Sequence, residues 1–478
     1  MLDLKLWIRQ RGIGQALAMA MGAAAYVLLP WSGFAQAGAV VYIVLAAAWP
    51  ALALRLVVLS TPFYLVGSDL FPKAVDTLPF SLTEFLLVGV LLGVVARDLR
   101  LAIGSGWSLR GRLPTDWPVM LFLVGAVLAG LAAVDSGTHL RGLLVLVIGP
   151  LLFFWLVRKE SATEEDLLGL LDAWLLAGVA VSLFAFYQYL FTNDTIVAEG
   201  VARARGAYGS PNNLGIYLAR ALPVGACLAV WGARRRGLYA AASAAMLMAL
   251  ALTFSLGAWV GAAAALLFAS LAGSRRRLAL GIVVALALAF LAGWSFGLPR
   301  IVSHFSLDAA TWRWRTAVWQ AGWNMAWDHP LLGIGLDNFL GLYRQYMLPD
   351  AWPEPNLSHP HNIVLDFWLS TGLLGLIGGG WLVARQALRS WGLWRQGASP
   401  QLRAVGLGLT ASAVDLLVHG VFDNSYFLVD LAIVFWLAQA LALARPQAQI
   451  AAAAEPAGKR WAEKGEGRAP GAVSPQGP

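Results

Sequence analysis

Two groups of residues in this chain have the types and spacing to bind a charged group and move a proton. The first runs Arg203-Ala204-Arg205-Gly206-Ala207-Tyr208-Gly209-Ser210-Pro211-Asn212-Asn213. Two guanidinium groups beside a glycine-rich turn and a helix start suit phosphate, because arginine offers paired donors and a helix N-terminus offers free N–H groups. The alternative for the same arginines is pairing with lipid headgroups at a membrane surface. The second group is His359-Pro360-His361-Asn362, where an apolar segment begins. Pro360 suits the first helical position, which would put His361 in the first turn. There the helix dipole disfavours imidazolium, leaving a neutral imidazole able to accept a proton near pH 7. Its alternative role is to cap the helix, and Asn362 adjoins it. Arg220 stands about two turns into the apolar run after Asn213. An arginine there costs about 2.5–3.5 kcal/mol on insertion scales, so it faces the bundle interior and marks a site or a buried ion pair. Glu84 and Asp415 are both candidate partners.

The elements that must position these groups surround one long polar passage, Thr311 to Trp368. Its pattern predicts an amphipathic helix carrying Trp312, Trp319, Trp323 and Trp327, a turn at Gly333-Ile334-Gly335, and a short helix near Tyr343 to Tyr346. The tryptophan stripe reads either as membrane-interface packing or as a stacking surface for substrate. Gly333-Ile334-Gly335 lacks the third glycine and the strand context of a dinucleotide site. Asp-x-Asp and Walker sequences are missing too, so the expected chemistry needs neither nucleotide nor metal, and no cofactor. Cys227 is the single cysteine, which excludes an internal disulfide framework and a cysteine-based metal site.

Composition places the chain in a membrane. Apolar residues make up 59% and charged residues 13%, against about 25% charged in a soluble domain. Apolar runs long enough to cross hydrocarbon as helices fall near 14–31, 36–59, 79–96, 117–134, 140–157, 166–191, 212–232, 237–254, 256–273, 278–297, 361–384, 404–422 and 425–445. The 36–59 run breaks at Pro50, as two short helices or a re-entrant piece, so 12 to 14 spans are expected. The formal charge of +8 comes from basic turns at 97–112, 158–159, 234–236, 275–277 and 385–403. Orientation by the positive-inside rule explains these better than nucleic acid does. All six histidines (His139, His304, His329, His359, His361, His419) then fall on or near the opposite side. The expected units are N-terminal helices at 1–297, an extracytoplasmic loop at 298–360, C-terminal helices at 361–445 and a disordered cytoplasmic tail at 446–478.

Three blocks, in order, resemble the O-antigen ligase/polymerase superfamily. They are Arg-Gly-aromatic-x-x-Pro-Asn-Asn at 205–213, Trp-x-x-Ala…Asp-His-Pro-Leu-Leu-Gly-Ile-Gly at 319–335, and His-Asn…Gly-Leu-Leu-Gly at 361–375. The resemblance covers roughly residues 80 to 440. It implies an all-α polytopic membrane protein of the GT-C type, whose large extracytoplasmic loop carries short amphipathic helices. It further implies a metal-independent, inverting glycosyltransferase of the bacterial inner membrane, active at the extracytoplasmic face. Such proteins move a glycan from an undecaprenyl diphosphate carrier to an acceptor glycan, glycolipid or protein. By resemblance Arg205, with Arg203, binds the donor diphosphate, and Arg315 and Arg220 are further candidates. His361 activates the acceptor hydroxyl, with Asn362 beside it. One departure stands out: the family commonly has Ser-Arg-Gly or Ser-Lys-Gly where this chain has Ser255-Leu256-Gly257. Two other classes fit the helix count: a transporter of a small anion such as bicarbonate, and a non-catalytic component of polysaccharide assembly. Against a carrier stand the long tryptophan- and histidine-rich loop and the lack of an internal repeat.

Overall fold

The computed structural model describes residues 2–28, 32–64, 81–105, 116–161, 163–198, 200–295, 310–349 and 355–443. The tail at 446–478 and His304 lie outside the described residues, as does part of the 298–360 loop. In chain order the helices are α1 Leu2–Leu28, α2 Gly33–Ala48, α3 Pro50–Ser60, α4 Leu82–Ser105, α5 Trp117–Ala129, α6 Ser136–Glu160, α7 Glu164–Tyr187, α8 Pro211–Trp231, α9 Arg236–Leu252, α10 Leu256–Ala272, α11 Arg276–Ser295, α12 Ala310–Asp328, α13 Phe339–Tyr346, α14 Ile363–Gln396, α15 Pro400–Gly420 and α16 Val429–Ala442. Five of them (α6, α7, α8, α14 and α15) are long and apolar enough to cross a membrane. The outward faces of this set expose large apolar side chains such as Leu144, Leu183 and Leu388. Patches of that kind mark a lipid- or partner-facing surface. The chain is an all-α polytopic membrane protein, as expected.

The break at Pro50 gives two helices, with the proline at the start of α3. Two details differ from expectation. A short antiparallel hairpin, Ile196–Ala198 (β1) with Val201–Arg203 (β2), precedes the Arg205 turn. α14 runs on through the basic stretch to Gln396, 34 residues in all. Its glycines allow this length to bend: Gly372 sits at φ 66° and ψ −173°, a region essentially restricted to glycine. The freed backbone is satisfied by the preceding loop, since Leu373 N donates to Leu331 O (3.1 Å) and Ile334 N to Leu369 O (2.7 Å). Lower on α14, Gly125 of α5 approaches so closely that a β-carbon there would sit 2.3 Å from Gly375 N. Small residues let membrane helices pack at this range.

The two ends of the bundle differ in chemistry. At one end the basic turns are tied by ion pairs: Arg97 to Glu160 (2.6 Å), Lys159 to Asp98, Arg235 to Asp172 (3.0 Å) and Arg385 to Asp116. At the other end stand four of the histidines, His139, His359, His361 and His419. His139 Nδ1 accepts from Leu336 N (3.1 Å) and Asn338 Oδ1 accepts from Asp135 N (2.7 Å), so the loop after α12 is clipped to the start of α6. Between the ends, α8, α10 and α15 form the buried centre. Arg220 of α8 donates from Nε to Asp415 Oδ2 of α15 at 3.1 Å, with the two side chains 3% and 0% exposed. The inward-facing pairing expected for Arg220 is met, and Asp415 is the partner.

Candidate functional site

The turn joining α15 to α16 carries Asp423, and an aromatic cluster fixes that turn. Asn424 Oδ1 accepts from the backbone of Tyr426 (3.0 Å) and Phe427 (2.9 Å). The Tyr426 hydroxyl donates to Leu146 O (2.9 Å), in a π-helical turn of α6, and accepts from Trp436 Nε1 (3.0 Å). Phe122, Phe367 and Phe427 surround the same ring. Asp423 itself is 4% exposed.

Two histidines converge on this carboxylate. His361 Nδ1 lies 2.9 Å from Asp423 Oδ1 and His359 Nε2 lies 3.2 Å from the same oxygen, which also accepts from Asn424 N at 2.9 Å. The imidazole rings are 4.2 Å apart. Burial pushes the Asp423 carboxyl up, but the charge and hydrogen bonds of His361 and His359 outweigh it and hold it well below the usual carboxylate range. An ionised carboxylate only accepts, so both ring nitrogens facing it donate. Burial also lowers both histidines. For His359 the Asp423 bond and charge reverse this and raise the pKa. For His361 burial prevails, with His359 and Arg315 adding to it, and the pKa stays below the ordinary value. Burial thus favours the neutral ring at His361, with Nδ1–H facing Asp423 and Nε2 turned away from it.

The position of His361 corrects the expected helix start. α14 begins at Ile363, and Asn362 is its N-cap, with Oδ1 accepting from Val364 N (3.0 Å) and Leu365 N (3.2 Å). Pro360 is thus outside the helix rather than at its first position, and His361 precedes the cap instead of lying in the first turn. An asparagine side chain satisfies free N–H groups, which proline at the first position cannot do. Asn362 Nδ2 donates to Val421 O (3.2 Å), joining α14 to the Asp423 turn. His361 adopts φ 51°, a left-handed conformation that is uncommon for a residue with a side chain. Its carbonyl accepts from Trp319 Nε1 (3.0 Å), and Trp314 lies 5.3 Å from its ring. The α12 stripe therefore packs partly on the histidine site. Trp323 and Trp327 instead cluster with Trp368.

The expected cations fall into two settings. Arg315, on α12, acts electrostatically on His361. Arg205 binds Asp194 through Nη2 (3.0 and 3.1 Å) and donates from Nη1 to Tyr208 O. Arg203 is buried, donating from Nε to Thr253 O (2.8 Å) and from Nη2 to Asn212 Oδ1 (2.7 Å), which ties the hairpin to α8 and to the end of α9. Arg220 is buried on Asp415. Leu256 opens α10 after Ser255. Behind His359 lies a cavity of about 100 Å³ lined by Asp337, Ser358, Asp366, Ser370 and Asn424 among others. Burial raises the Asp337 carboxyl, and the charge of Arg141 opposes it.

The sequence did not single out Asp423, and it gave His359 no role of its own beside His361. The available signal was the polar stretch His419-Gly-Val-Phe-Asp423-Asn424-Ser425 between two apolar runs.

A polytopic helical membrane protein with an acid-oriented imidazole, near Arg315 at one end of its bundle, is the class that fold and site define. Comparison adds one finding: residues 241–378 match the family model described as O-antigen ligase, which supports the O-antigen ligase/polymerase superfamily. The matched segment holds Arg315, His359 and His361, while the Arg205 block and Asp423 lie outside it. No curated protein matches the chain.

Proposed function

We propose that this protein transfers or polymerises a glycan from an undecaprenyl diphosphate carrier onto an acceptor hydroxyl at the extracytoplasmic face of a bacterial inner membrane. The acceptor is a glycan, a glycolipid or a protein. The observation that carries the reading is the 2.9 Å contact between His361 Nδ1 and Asp423 Oδ1, within a chain whose 241–378 segment matches the O-antigen ligase family.

In this reading the acceptor O–H gives its proton to His361 Nε2 as its oxygen bonds to the anomeric carbon. The carbon–oxygen bond to the carrier breaks, and its electron pair leaves with the lipid diphosphate. Attack from the face opposite the leaving group inverts the anomeric centre. Asp423 stabilises the imidazolium that forms and fixes its tautomer, the role of the carboxylate in acid–base–nucleophile triads. No metal is needed, because cations aimed at the departing diphosphate supply the stabilisation where charge develops.

Arg315 and Arg205 are the residues we assign to that task. The Arg205–Asp194 pair is partly exposed, with side chains 18% and 47% accessible. Pairs of this kind contribute about 0–1 kcal/mol, so an incoming diphosphate displaces the carboxylate at little cost. Arg203 and Arg220 we assign to the scaffold that holds the hairpin and the central helices. Asn362 we assign to holding the His361 backbone.

The test is labelled carrier-linked glycan in proteoliposomes containing the full chain and an acceptor. Covalent transfer to the acceptor is expected. Label crossing the bilayer without a covalent product would replace this reading with transport.

A further inference from the structure

Three potential ligand atoms from three side chains meet at one point of this site. His359 Nε2, His361 Nδ1 and Asp423 Oδ1 all lie within 4.8 Å of one another. Two of the three separations are 3.2 Å and 2.9 Å. A tetrahedral ion with bonds of about 2.0–2.1 Å needs ligand separations of about 3.3 Å; the two histidine–Asp423 distances come within a few tenths of an ångström of that, and the two imidazole nitrogens, at most 4.8 Å apart, close onto the ion by side-chain rotation. The outer contacts also suit ligation. A metal-bound histidine commonly uses its other ring nitrogen to hold a neighbour, and His359 Nδ1 lies 3.1 Å from Ser358 Oγ. His361 is held from behind by Trp319 through its carbonyl. Two imidazoles and one carboxylate match d-block cations such as zinc, cobalt or nickel rather than magnesium or calcium, which prefer all-oxygen sites.

We propose that His359, His361 and Asp423 form a binding site for a divalent d-block cation, and that its occupancy switches glycan transfer off. The inhibitory half rests on the base role of His361; the binding half does not. When the cation takes the lone pair of His361 Nδ1, the proton held there moves to Nε2, which then has no lone pair for the acceptor hydroxyl. His359 binds through Nε2 and keeps its proton on Nδ1, facing Ser358; any second proton leaves to solvent. The cation thus acts as an inhibitor, not as a cofactor of the reaction.

The experiment uses the full-length protein in lipid nanodiscs. Zn²⁺ binding is measured by equilibrium dialysis without substrate, and the Co²⁺ visible spectrum reports the coordination number. One Zn²⁺ per chain and a tetrahedral Co²⁺ spectrum are expected. Binding should weaken at least about tenfold in His359→Asn and stay unchanged in His329→Asn, which alters a histidine outside the cluster. Ser358→Ala keeps all three ligands and should weaken binding by roughly tenfold, so a folding defect in His359→Asn leaves the idea testable. Transfer in proteoliposomes should fall over the Zn²⁺ range that fills the site and return on chelation. Absence of stoichiometric binding, or binding indifferent to His359→Asn and Ser358→Ala, overturns the site. Saturated binding with undiminished transfer overturns the switch. A protein that binds Zn²⁺ through these residues yet transfers no glycan under any condition sinks the transferase reading and leaves the metal site standing.

Discussion

Replacing Arg220 by methionine should destabilise the helical bundle without touching the histidine site. Arg220 Nε and Asp415 Oδ2 are 3.1 Å apart with both side chains essentially inaccessible. At that distance and an effective dielectric of about 20, the attraction is about 5 kcal/mol before desolvation is subtracted. The net worth of the intact pair is therefore small, but Arg220→Met leaves Asp415 buried without its cation, which typically costs about 3–5 kcal/mol. Asp415 Oδ1 and Arg220 Nη2 have no hydrogen-bond partner among the described residues, so no second contact holds the orphaned carboxylate. Thermal unfolding in detergent should show a midpoint lower by about 3–5 °C. The double variant Arg220→Met/Asp415→Leu removes both charges and should recover most of the loss, with glycan transfer retained. An Arg220→Met protein that melts with the parent, or a double variant that melts below both single variants, would refute this. A double variant that folds but cannot transfer would return Arg220 to the substrate site.

Asp423→Asn should reduce transfer by roughly 10²–10⁴-fold with the bundle still folded, since a correctly held base is worth about that much; single-turnover assays on labelled donor measure it. Arg205→Ala should lower kcat/KM for the carrier-linked donor by roughly 10–100-fold, from the loss of charge-assisted hydrogen bonds of about 1.5–3 kcal/mol, read from a donor titration at saturating acceptor. Gly372→Ala should destabilise the loop before α14, because a β-carbon there would lie 2.3 Å from Leu331 O at a left-handed φ. Strain of this kind costs about 1–3 kcal/mol or more, and faster proteolysis within 329–335 is the readout.

Five of the expected spans, now α6, α7, α8, α14 and α15, were legible because apolar runs of membrane-crossing length do not recur along a water-soluble chain. Pro50 announced its own helix break. The polarity of the ends was also readable, since the basic turns sit together and four of the histidines gather opposite them. The pairing of Arg220 was half legible: a buried arginine demands an acid, but nothing in the sequence ranks Asp415 above Glu84 across 195 positions. Asp423 was invisible for a different reason. A single acid in a polar turn has no spacing signal, and only the fold brings it to histidines more than 60 residues away. The start of α14 is easily misplaced because proline and asparagine compete for the same boundary, and the cap that satisfies two N–H groups prevails. The β-hairpin before Arg205 escapes sequence reading, as two strands of three residues each carry too little alternation to be seen.

The central claim is that His361 is the base. Its measurement is the rate of labelled glycan transfer in proteoliposomes by His361→Ala against the parent chain, with matched melting curves. The expected result is a loss of about 10²–10⁴-fold. A His361→Ala protein that folds and transfers near the parent rate would contradict it.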